Sequence, residues 1–316
     1  MNGKFVISLD FELHWGGAEI WDLQQMKDHF LDARKAIPAT LREFEKNGIR
    51  ATWATVGFLF AKDKEQLMDF SPINKPSYVN NKLSYYNYIE QIGNDEKEDP
   101  FHYGTSLIEN IIQTNGQELA THTFSHYYCN EEGQTPEQFE ADLKAAQAIA
   151  FENFNIKLES LVFPKNQYNH SYLEIVKRQG IKVIRSNPNV WFWQSSYGKL
   201  TPVLRAIDTL GPISSSISFN IKDLENQNGV LELPASRFFR PYKEKESRIQ
   251  KLKIRRIKAE MTYAAKNNRI YHLWWHPHNF GEDLKQNLNQ LREIIDHYNF
   301  LKETYNFQSN SMSDFI

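Results

Sequence analysis

Two carboxylates stand close together near the start of the chain, in the segment VISLDFELHWGG at 6–17. Side chains alternate between the two faces of a strand, so Asp10 and Glu12 share one face with Ser8. Two carboxylates buried on one face carry a large desolvation cost unless a cation or hydrogen-bond donors compensate them. The pair therefore indicates acid–base or metal chemistry. The alternative is a strand end that reaches solvent.

Two histidines four residues apart form a second candidate group, in GQELATHTFSHYYC at 116–129. On a helical turn this spacing places His122 and His126 on one side, which is a common arrangement for binding a metal ion. Two histidines and a carboxylate leave coordination positions open for water and substrate, as catalytic metal sites do. Two unrelated surface histidines are the alternative, because this spacing alone is a weak signal.

Three more histidines follow in RIYHLWWHPHNFGED at 269–283. His276 ends a predicted strand, where the sites of α/β proteins assemble, and an imidazole there suits a general acid. We expect His272 to be a hydrogen-bonded core residue, and His278 either to face the substrate or to support a residue that does.

Polar side chains also follow an earlier predicted strand, in SLVFPKNQYN at 160–169. Lys165 and Asn166 stand there as candidates for contacting substrate or a catalytic group, and the alternative is a simple loop start.

Strand-like and helix-like runs alternate along the chain, which positions these groups. Strands are predicted at 4–13, 50–56, 117–123, 160–164, 181–186, 229–235 and 269–275, and helices at 28–47, 103–115, 136–153, 170–179, 243–267 and 282–303. This alternation predicts an α/β fold with a parallel sheet under covering helices, either open or closed into a barrel. The irregular segment 68–100 interrupts the pattern, as a lid or rim beside the site or as a mobile surface excursion.

The composition is that of an ordinary globular protein, with 316 residues, 41% hydrophobic and 24% charged. No interdomain linker is visible, so we expect one domain over 1–316. A net charge of −2 gives no bulk attraction to a nucleic acid polymer, and the single cysteine, Cys129, excludes an intrachain disulfide. The start of the sequence lacks a signal-peptide layout and no stretch reaches the roughly 18 apolar residues of a membrane span, so we expect a cytoplasmic protein. Nothing indicates the oligomeric state.

These segments, in this order, resemble the polysaccharide deacetylases, the NodB-homology domains of carbohydrate esterase family 4, over roughly residues 4 to 283. The resemblance implies a single-domain distorted (β/α) barrel of about seven parallel strands. It also implies a metal-dependent hydrolase that removes an N-acetyl group from an amino sugar in a glycan or a glycan precursor. The expected cofactor is a divalent metal, with Zn²⁺ as the first choice.

The resemblance also assigns roles to individual residues. Asp10 takes the place of the general base, and His276 that of the general acid, with His278 as the fallback. The metal ligands implied are Glu12, His122 and His126.

Two departures from the family pattern affect these roles. An acid–x–acid spacing replaces the usual adjacent acidic pair. The family orients its base with an arginine after the fourth strand, where FPKNQ carries Lys165 instead, and a lysine cannot pair with a carboxylate bidentately. Arg185 and Arg237 are the other candidates for orienting the base.

The substrate follows only from the expected compartment, which favours a nucleotide-linked or lipid-linked N-acetylated sugar. An allantoinase-like amidohydrolase on the same scaffold is one alternative. A non-catalytic sugar-binding or assembly protein is another.

Overall fold

The chain is described by a computed structural model over residues 2–167, 169–188, 217–224, 226–227 and 229–316. The strands in these ranges are β1 Lys4–Phe11, β2 Ala51–Thr55, β3 Gln117–Thr121, β4 Ser160–Val162, β5 Val183–Ser186, β6 Asn226–Gln227, β7 Val230–Pro234, β8 Arg237–Phe238, β9 Ile270–Trp275 and β10 Gln308–Asn310. The α-helices are α1 Leu23–Asn47, α2 Lys64–Phe70, α3 Thr105–Gln113, α4 Pro136–Phe154, α5 Leu173–Arg178, α6 Ser247–Lys266 and α7 Leu284–Tyr305.

The strands form one sheet in the order β6-β7-β5-β4-β3-β2-β1-β9-β8, and β10 pairs with β1. Neighbouring strands are parallel except for β6 and β7, which are antiparallel. The run from β7 to β9 supplies the seven parallel strands that the sequence predicts. The sheet curves into a half-barrel covered by helices, so the expected distorted (β/α) barrel is confirmed.

Strand β1 lies in the middle of the sheet and separates two apolar layers. Phe5, Ile7 and Leu9 belong to the large core between the sheet and the helices. Val6 belongs to a smaller cluster on the opposite face, the side shared by Ser8 and Asp10. The alternation predicted for this strand is therefore present, and it directs Asp10 to the inside of the curved sheet.

The irregular segment at 68–100 is packed against the core rather than projecting from it. It forms short helical turns at Asn81–Leu83 and Tyr85–Gln91. Tyr78, Tyr85 and Ile89 are buried. No helix among the described residues is long and apolar enough to cross a membrane.

The C-terminal residues close the end of the half-barrel where the strands begin. The backbone N–H of Met312 donates to Thr52 Oγ1 at 2.7 Å, and that of Ser313 donates to Glu118 Oε2 at 3.0 Å. Met312 is fully buried in the inner apolar cluster. With this end filled, the carboxyl ends of the strands form the open end, where candidate site residues collect.

Gly57 allows two backbone segments to approach each other at that open end. Its N–H donates to the Thr123 carbonyl at 2.8 Å, and the next N–H, of Phe58, donates to the Phe124 carbonyl at 2.9 Å. A methyl group on Gly57 would lie 2.5 Å from Phe124 Cα, closer than atoms can pack. The glycine therefore fixes the position of the segment that carries His122 and His126.

We expect Gly57→Ala to lower the free energy of unfolding by about 3 kcal/mol, the upper end for overpacking, because backbone atoms must move. Gly180→Ala is the matched control: Gly180 has φ +82° but nothing within 4 Å of the added methyl. That change should cost only about 1 kcal/mol, from the left-handed backbone. Urea denaturation of both variants makes the comparison, and equal costs would show that close approach is not the constraint at Gly57.

Candidate active site

The two carboxylates of the first strand are buried at its carboxyl end. Asp10 is 3% exposed and Glu12 is 4% exposed, so the alternative of a strand end reaching solvent is wrong. The strand stops at Phe11, and Leu13 has φ 48°, which turns the chain away from the sheet. Both carboxylates therefore need compensating partners within the fold.

Glu12 lies against the two histidines predicted to share a metal with it. Its Oε1 is 3.0 Å from His122 Nε2 and 3.2 Å from His126 Nε2. One ligand atom from each of these residues lies within 4.8 Å of the others, and all three residues are buried. We call Glu12, His122 and His126 the ligand cluster.

The far nitrogen of His122 defines the state of its ring. Nδ1 lies 2.8 Å from the Val162 carbonyl oxygen, which can only accept, so the imidazole carries its proton there. Its Nε2 then presents a lone pair to Glu12 Oε1, which is also an acceptor. Two acceptors 3.0 Å apart require a proton or a cation between them.

A divalent ion fits this ligand cluster. Carboxylate and imidazole are ordinary ligands of Zn²⁺, and bonds of about 2.0–2.1 Å give edges of roughly 3.3 Å in a tetrahedral site. The two Glu12–histidine separations, 3.0 and 3.2 Å, lie near that edge. Three protein ligands also leave positions open, as in catalytic sites.

The segment between the two histidines is a loop, so the expected helical turn is wrong. Thr123 has φ 63° and His126 has φ 57°, both in the left-handed region that non-glycine residues rarely adopt. These two residues reverse the chain and bring both rings to the same side of Glu12. The two histidine rings are therefore close together, as predicted, but a loop and not a helical turn brings them there.

Asp142, on helix α4, holds this loop in place. Its carboxylate accepts a hydrogen bond from the Phe124 N–H at 2.7 Å, and others from the backbone N–H and the hydroxyl of Ser125. The hydroxyl of Tyr86 donates to it at 2.9 Å. Burial raises the pKa of Asp142 to about 6 despite these donors. Burying this carboxylate is energetically unfavourable, but its hydrogen bonds hold the loop backbone in its strained conformation.

A chain of hydroxyl groups orients His126. Its Nδ1 is 3.0 Å from the Tyr128 hydroxyl, which is 2.8 Å from the Tyr85 hydroxyl, and Tyr85 donates to Glu19. Because the Glu19 carboxylate can only accept, Tyr85 donates to Glu19, Tyr128 donates to Tyr85, and His126 donates to Tyr128. The ring proton of His126 therefore lies on Nδ1. The Tyr85 ring also stacks on the His126 ring, with centroids 5.6 Å apart. Thus the irregular segment contributes directly to the rim of the site.

Lys165 takes part in this chain and not in orienting the base. Its Nζ donates to Glu19 Oε1 at 2.7 Å and lies 4.1 Å from the centre of the Tyr128 ring. Of the three candidates for orienting the base, Lys165 is thus paired with Glu19 and not with Asp10.

Arg185, at the end of β5, is the arginine that holds Asp10. Its two terminal nitrogens donate to Oδ1 at 2.6 Å and Oδ2 at 2.7 Å, a bidentate pair that lysine cannot form. Arg237, the third candidate, instead pairs bidentately with Glu260, at 2.7 Å for both contacts. Of the three cations, Arg185 is therefore the one that pairs with Asp10.

Several neighbours fix the orientation of the Arg185 guanidinium. It donates to Ser8 Oγ and to Asn166 Oδ1, each at 3.1 Å, and stacks 4.3 Å above the Trp274 ring. Asn166 thus supports the arginine of the base. His272 has both ring nitrogens engaged, with Ser8 Oγ at 2.8 Å and the Pro234 carbonyl at 3.1 Å, as expected for a core histidine.

The charges around the two carboxylates keep both ionised. Burial by itself would raise the pKa of Asp10, but the charge and hydrogen bonds of Arg185 bring it below its ordinary value. Burial also opposes ionisation of Glu12, yet the positive charge of His276 and the contacts with His122 and His126 hold the pKa of Glu12 well below its usual range. Both groups are therefore anions at neutral pH.

The late histidines lie on the other side of the acidic pair. His276 Nε2 is 3.6 Å from Asp10 Oδ2 and 3.8 Å from Glu12 Oε1. Its side chain is 26% exposed, whereas that of His278 is 6% exposed. Burial lowers the pKa of His278 to about 3, so this ring is neutral at pH 7. Both histidines line an open cleft of about 390 Å³ that also reaches Glu12 and His126.

Comparison with known proteins identifies the family of the chain. The family model for polysaccharide deacetylase matches residues 28–184, which contain His122 and His126. This chain belongs to the polysaccharide deacetylase family. No curated protein matches this family member by sequence.

Solved structures resemble the deacetylase-family chain in fold. A polysaccharide deacetylase structure from Mycobacterium smegmatis has a TM-score of 0.61 at 11% identity, covering 99% of this chain and 89% of that one. One from Pseudomonas aeruginosa PAO1 has a TM-score of 0.53 at 9% identity, covering 99% and 88%. A GH57-type branching enzyme from Pyrococcus horikoshii has a TM-score of 0.55 at 12% identity, covering 100% and 70%. At these identities the structural likeness concerns the fold alone.

The hydroxyl chain predicts that Tyr85→Phe weakens divalent-ion binding about tenfold or more, because the Nδ1 proton of His126 loses its fixed orientation. Glu19→Gln should act in the same direction, since an amide can reverse the chain. Competition with a chelator for Zn²⁺ or Co²⁺ measures the affinity. Tyr88→Phe is the control, because the Tyr88 hydroxyl donates to the Lys82 carbonyl outside the chain. Equal affinities of Tyr85→Phe and Tyr88→Phe would contradict the orienting role.

Proposed function

We propose that this chain is a metal-dependent deacetylase that removes an N-acetyl group from an amino sugar in a glycan or a glycan precursor. Family membership supports deacetylation of a glycan. The observation that carries the proposal is the arrangement of three units at one end of the half-barrel. These units are the ligand cluster, the Asp10–Arg185 pair and His276.

The ligand cluster provides the site for the ion. Glu12, His122 and His126 would hold it through one carboxylate oxygen and two Nε2 atoms. A divalent ion, for which we propose Zn²⁺, supplies Lewis-acid polarisation of an acetamide carbonyl and makes a water molecule easier to deprotonate. The remaining steps depend on side chains.

Asp10 is placed to accept the proton of the attacking water. Arg185 keeps its carboxylate ionised and fixes its plane, while each oxygen retains a lone pair beyond the one that the arginine uses. A general base needs a defined position more than an exceptional pKa, and positioning of this kind contributes typically 10²–10⁴-fold to rate. His276 Nε2 lies within 4 Å of both Asp10 and Glu12, which supports the proposal that the two carboxylates serve one site.

His276 is the side chain we propose to protonate the leaving amine. It lines the cleft, lies within 4 Å of both carboxylates and keeps part of its ring accessible. His278 lies behind it, with ring centroids 5.2 Å apart, in a more buried position. The difference in access supports His276 as the acid and His278 as its neighbour.

The size of the cleft and the side chains around it help to choose the substrate class and to weigh the non-catalytic alternative. A volume of about 390 Å³ is at the small end of ligand sites and can hold one amino sugar and its linkage. We propose a nucleotide-linked or lipid-linked precursor, met in the cytoplasm. A non-catalytic sugar-binding protein would not require a buried acid, its arginine and a ligand cluster to meet, so the assembled geometry argues against that alternative.

Two substitutions separate metal binding from proton transfer. Glu12→Ala should abolish bound metal and turnover together, because the cluster loses its only carboxylate. Asp10→Asn should keep the metal while lowering turnover by about 10²–10⁴-fold. Elemental analysis measures the metal, and acetate release from N-acetylated sugars measures turnover. Full metal content in Glu12→Ala, or normal turnover in Asp10→Asn, would contradict these roles.

The same assay tests the reaction class. We expect acetate from an N-acetylated sugar and no hydrolysis of allantoin by the metal-loaded protein. Ureide hydrolysis without acetate release would favour the amidohydrolase alternative.

A further inference from the structure

A half-buried arginine lines the cleft without a partner among the described residues. The Nε of Arg240 is buried and has no hydrogen-bond partner there, and the guanidinium makes no ion pair within the described ranges. Burying a cation without compensation is costly, and burial accordingly lowers the pKa of Arg240. Among the nearby charges, Glu246 stabilises the Arg240 cation and Arg237 repels it, but neither forms a hydrogen bond or an ion pair with it among the described residues.

The acids nearest to Arg240 in sequence are engaged elsewhere. Glu246 forms an ion pair with Lys253, and Glu244 accepts a hydrogen bond from the Tyr242 hydroxyl. Glu260 pairs with Arg237 and Arg256. Arg240 therefore faces the cleft with its charge available to a ligand.

Lys243 adds a second cation to the same wall. It is exposed, lines the cleft together with Arg240, and forms no ion pair within the described part of the chain. A third lining cation, Lys165, is already paired with Glu19. Removal of a neutral acetamide needs no cation on this wall, so Arg240 and Lys243 are unused by the proposed chemistry.

We propose that Arg240 and Lys243 form a subsite for a phosphate group attached to the N-acetylated sugar. The inference rests on the proposed deacetylase function and specifies its substrate class. Two cations from one short segment suit the charge of a phosphate or diphosphate, and an arginine fork matches its oxygens. Trp21 and Phe238, also in the cleft wall, supply aromatic faces for the sugar ring.

Steady-state kinetics on matched substrates tests the subsite. The probes are a nucleoside diphosphate N-acetylhexosamine, a polyprenyl diphosphate N-acetylhexosamine and the neutral N-acetylhexosamine. We expect Arg240→Gln and Lys243→Gln each to raise KM for phosphorylated substrates about tenfold or more, with little change for the neutral sugar. The phosphorylated substrate with the lower KM identifies nucleoside or lipid as the source of the phosphate.

A double variant with the same charge change controls for long-range electrostatics. Lys245 and Arg248 are exposed and do not line the cleft, so Lys245→Gln with Arg248→Gln should leave KM nearly unchanged. Equal effects of this pair and of Arg240→Gln with Lys243→Gln would overturn the subsite. Thermal denaturation checks folding, and Lys243→Gln remains informative if Arg240→Gln is unstable, because Lys243 is exposed.

Binding of inorganic pyrophosphate separates the subsite from the proposed reaction. Titration calorimetry should show binding to the metal-free protein that the Arg240→Gln and Lys243→Gln changes weaken. Binding without deacetylation of any probe would support the subsite and reject the reaction. Deacetylation of neutral and phosphorylated sugars with equal KM, unaffected by either change, would keep the reaction and reject the subsite.

Discussion

Two carboxylates buried two residues apart at the end of β1 are the constraint on which the rest of this site depends. β1 lies between β2 and β9, and both Asp10 and Glu12 are buried at its carboxyl end. Ionised groups in such a position require cations or hydrogen-bond donors beside them, and those partner residues are then held in fixed conformations. The Arg185 guanidinium, the ligand cluster and the cleft around His276 are arranged about this requirement.

The two carboxylates are compensated in different ways, and this difference divides their roles. Asp10 has a fixed cation, since Arg185 binds both of its oxygens and is itself held by Ser8 and Asn166. Glu12 faces imidazole nitrogens, at least one of which offers a lone pair and no charge. The positive charge that balances Glu12 must therefore come from a proton or an exchangeable cation. Asp10, whose charge is balanced by Arg185, is suited to proton transfer. Glu12, whose charge is not balanced by a fixed cation, is suited to bind a metal ion.

Periodicity in the sequence was enough to predict the parallel sheet and the alternation in β1, and the resemblance to the family predicted that Glu12 meets two histidines. It was not enough for the loop that carries them, because Thr123 and His126 are held in left-handed conformations by contacts that include Asp142, far along the chain. Such support is non-local and leaves no periodic signal. The choice of Arg185 over Lys165 depends on the register of β4 and β5, which pairs Val162 with Arg185. The available signal was an arginine directly after two apolar strand residues, Val183 and Ile184.

The same physical reasoning connects the ligand cluster with the cleft wall. Charges with permanent partners, such as the Asp10–Arg185 and Arg237–Glu260 pairs, hold side chains in position. Glu12 and Arg240 lack such permanent partners among the described residues. Burying their charges is unfavourable, and binding a ligand of opposite charge can offset that desolvation cost. The first calls for a cation and the second for an anion, and both line one cleft. A divalent ion would meet the first requirement, and a phosphate attached to the N-acetylated sugar would meet the second, which a neutral glycan cannot do.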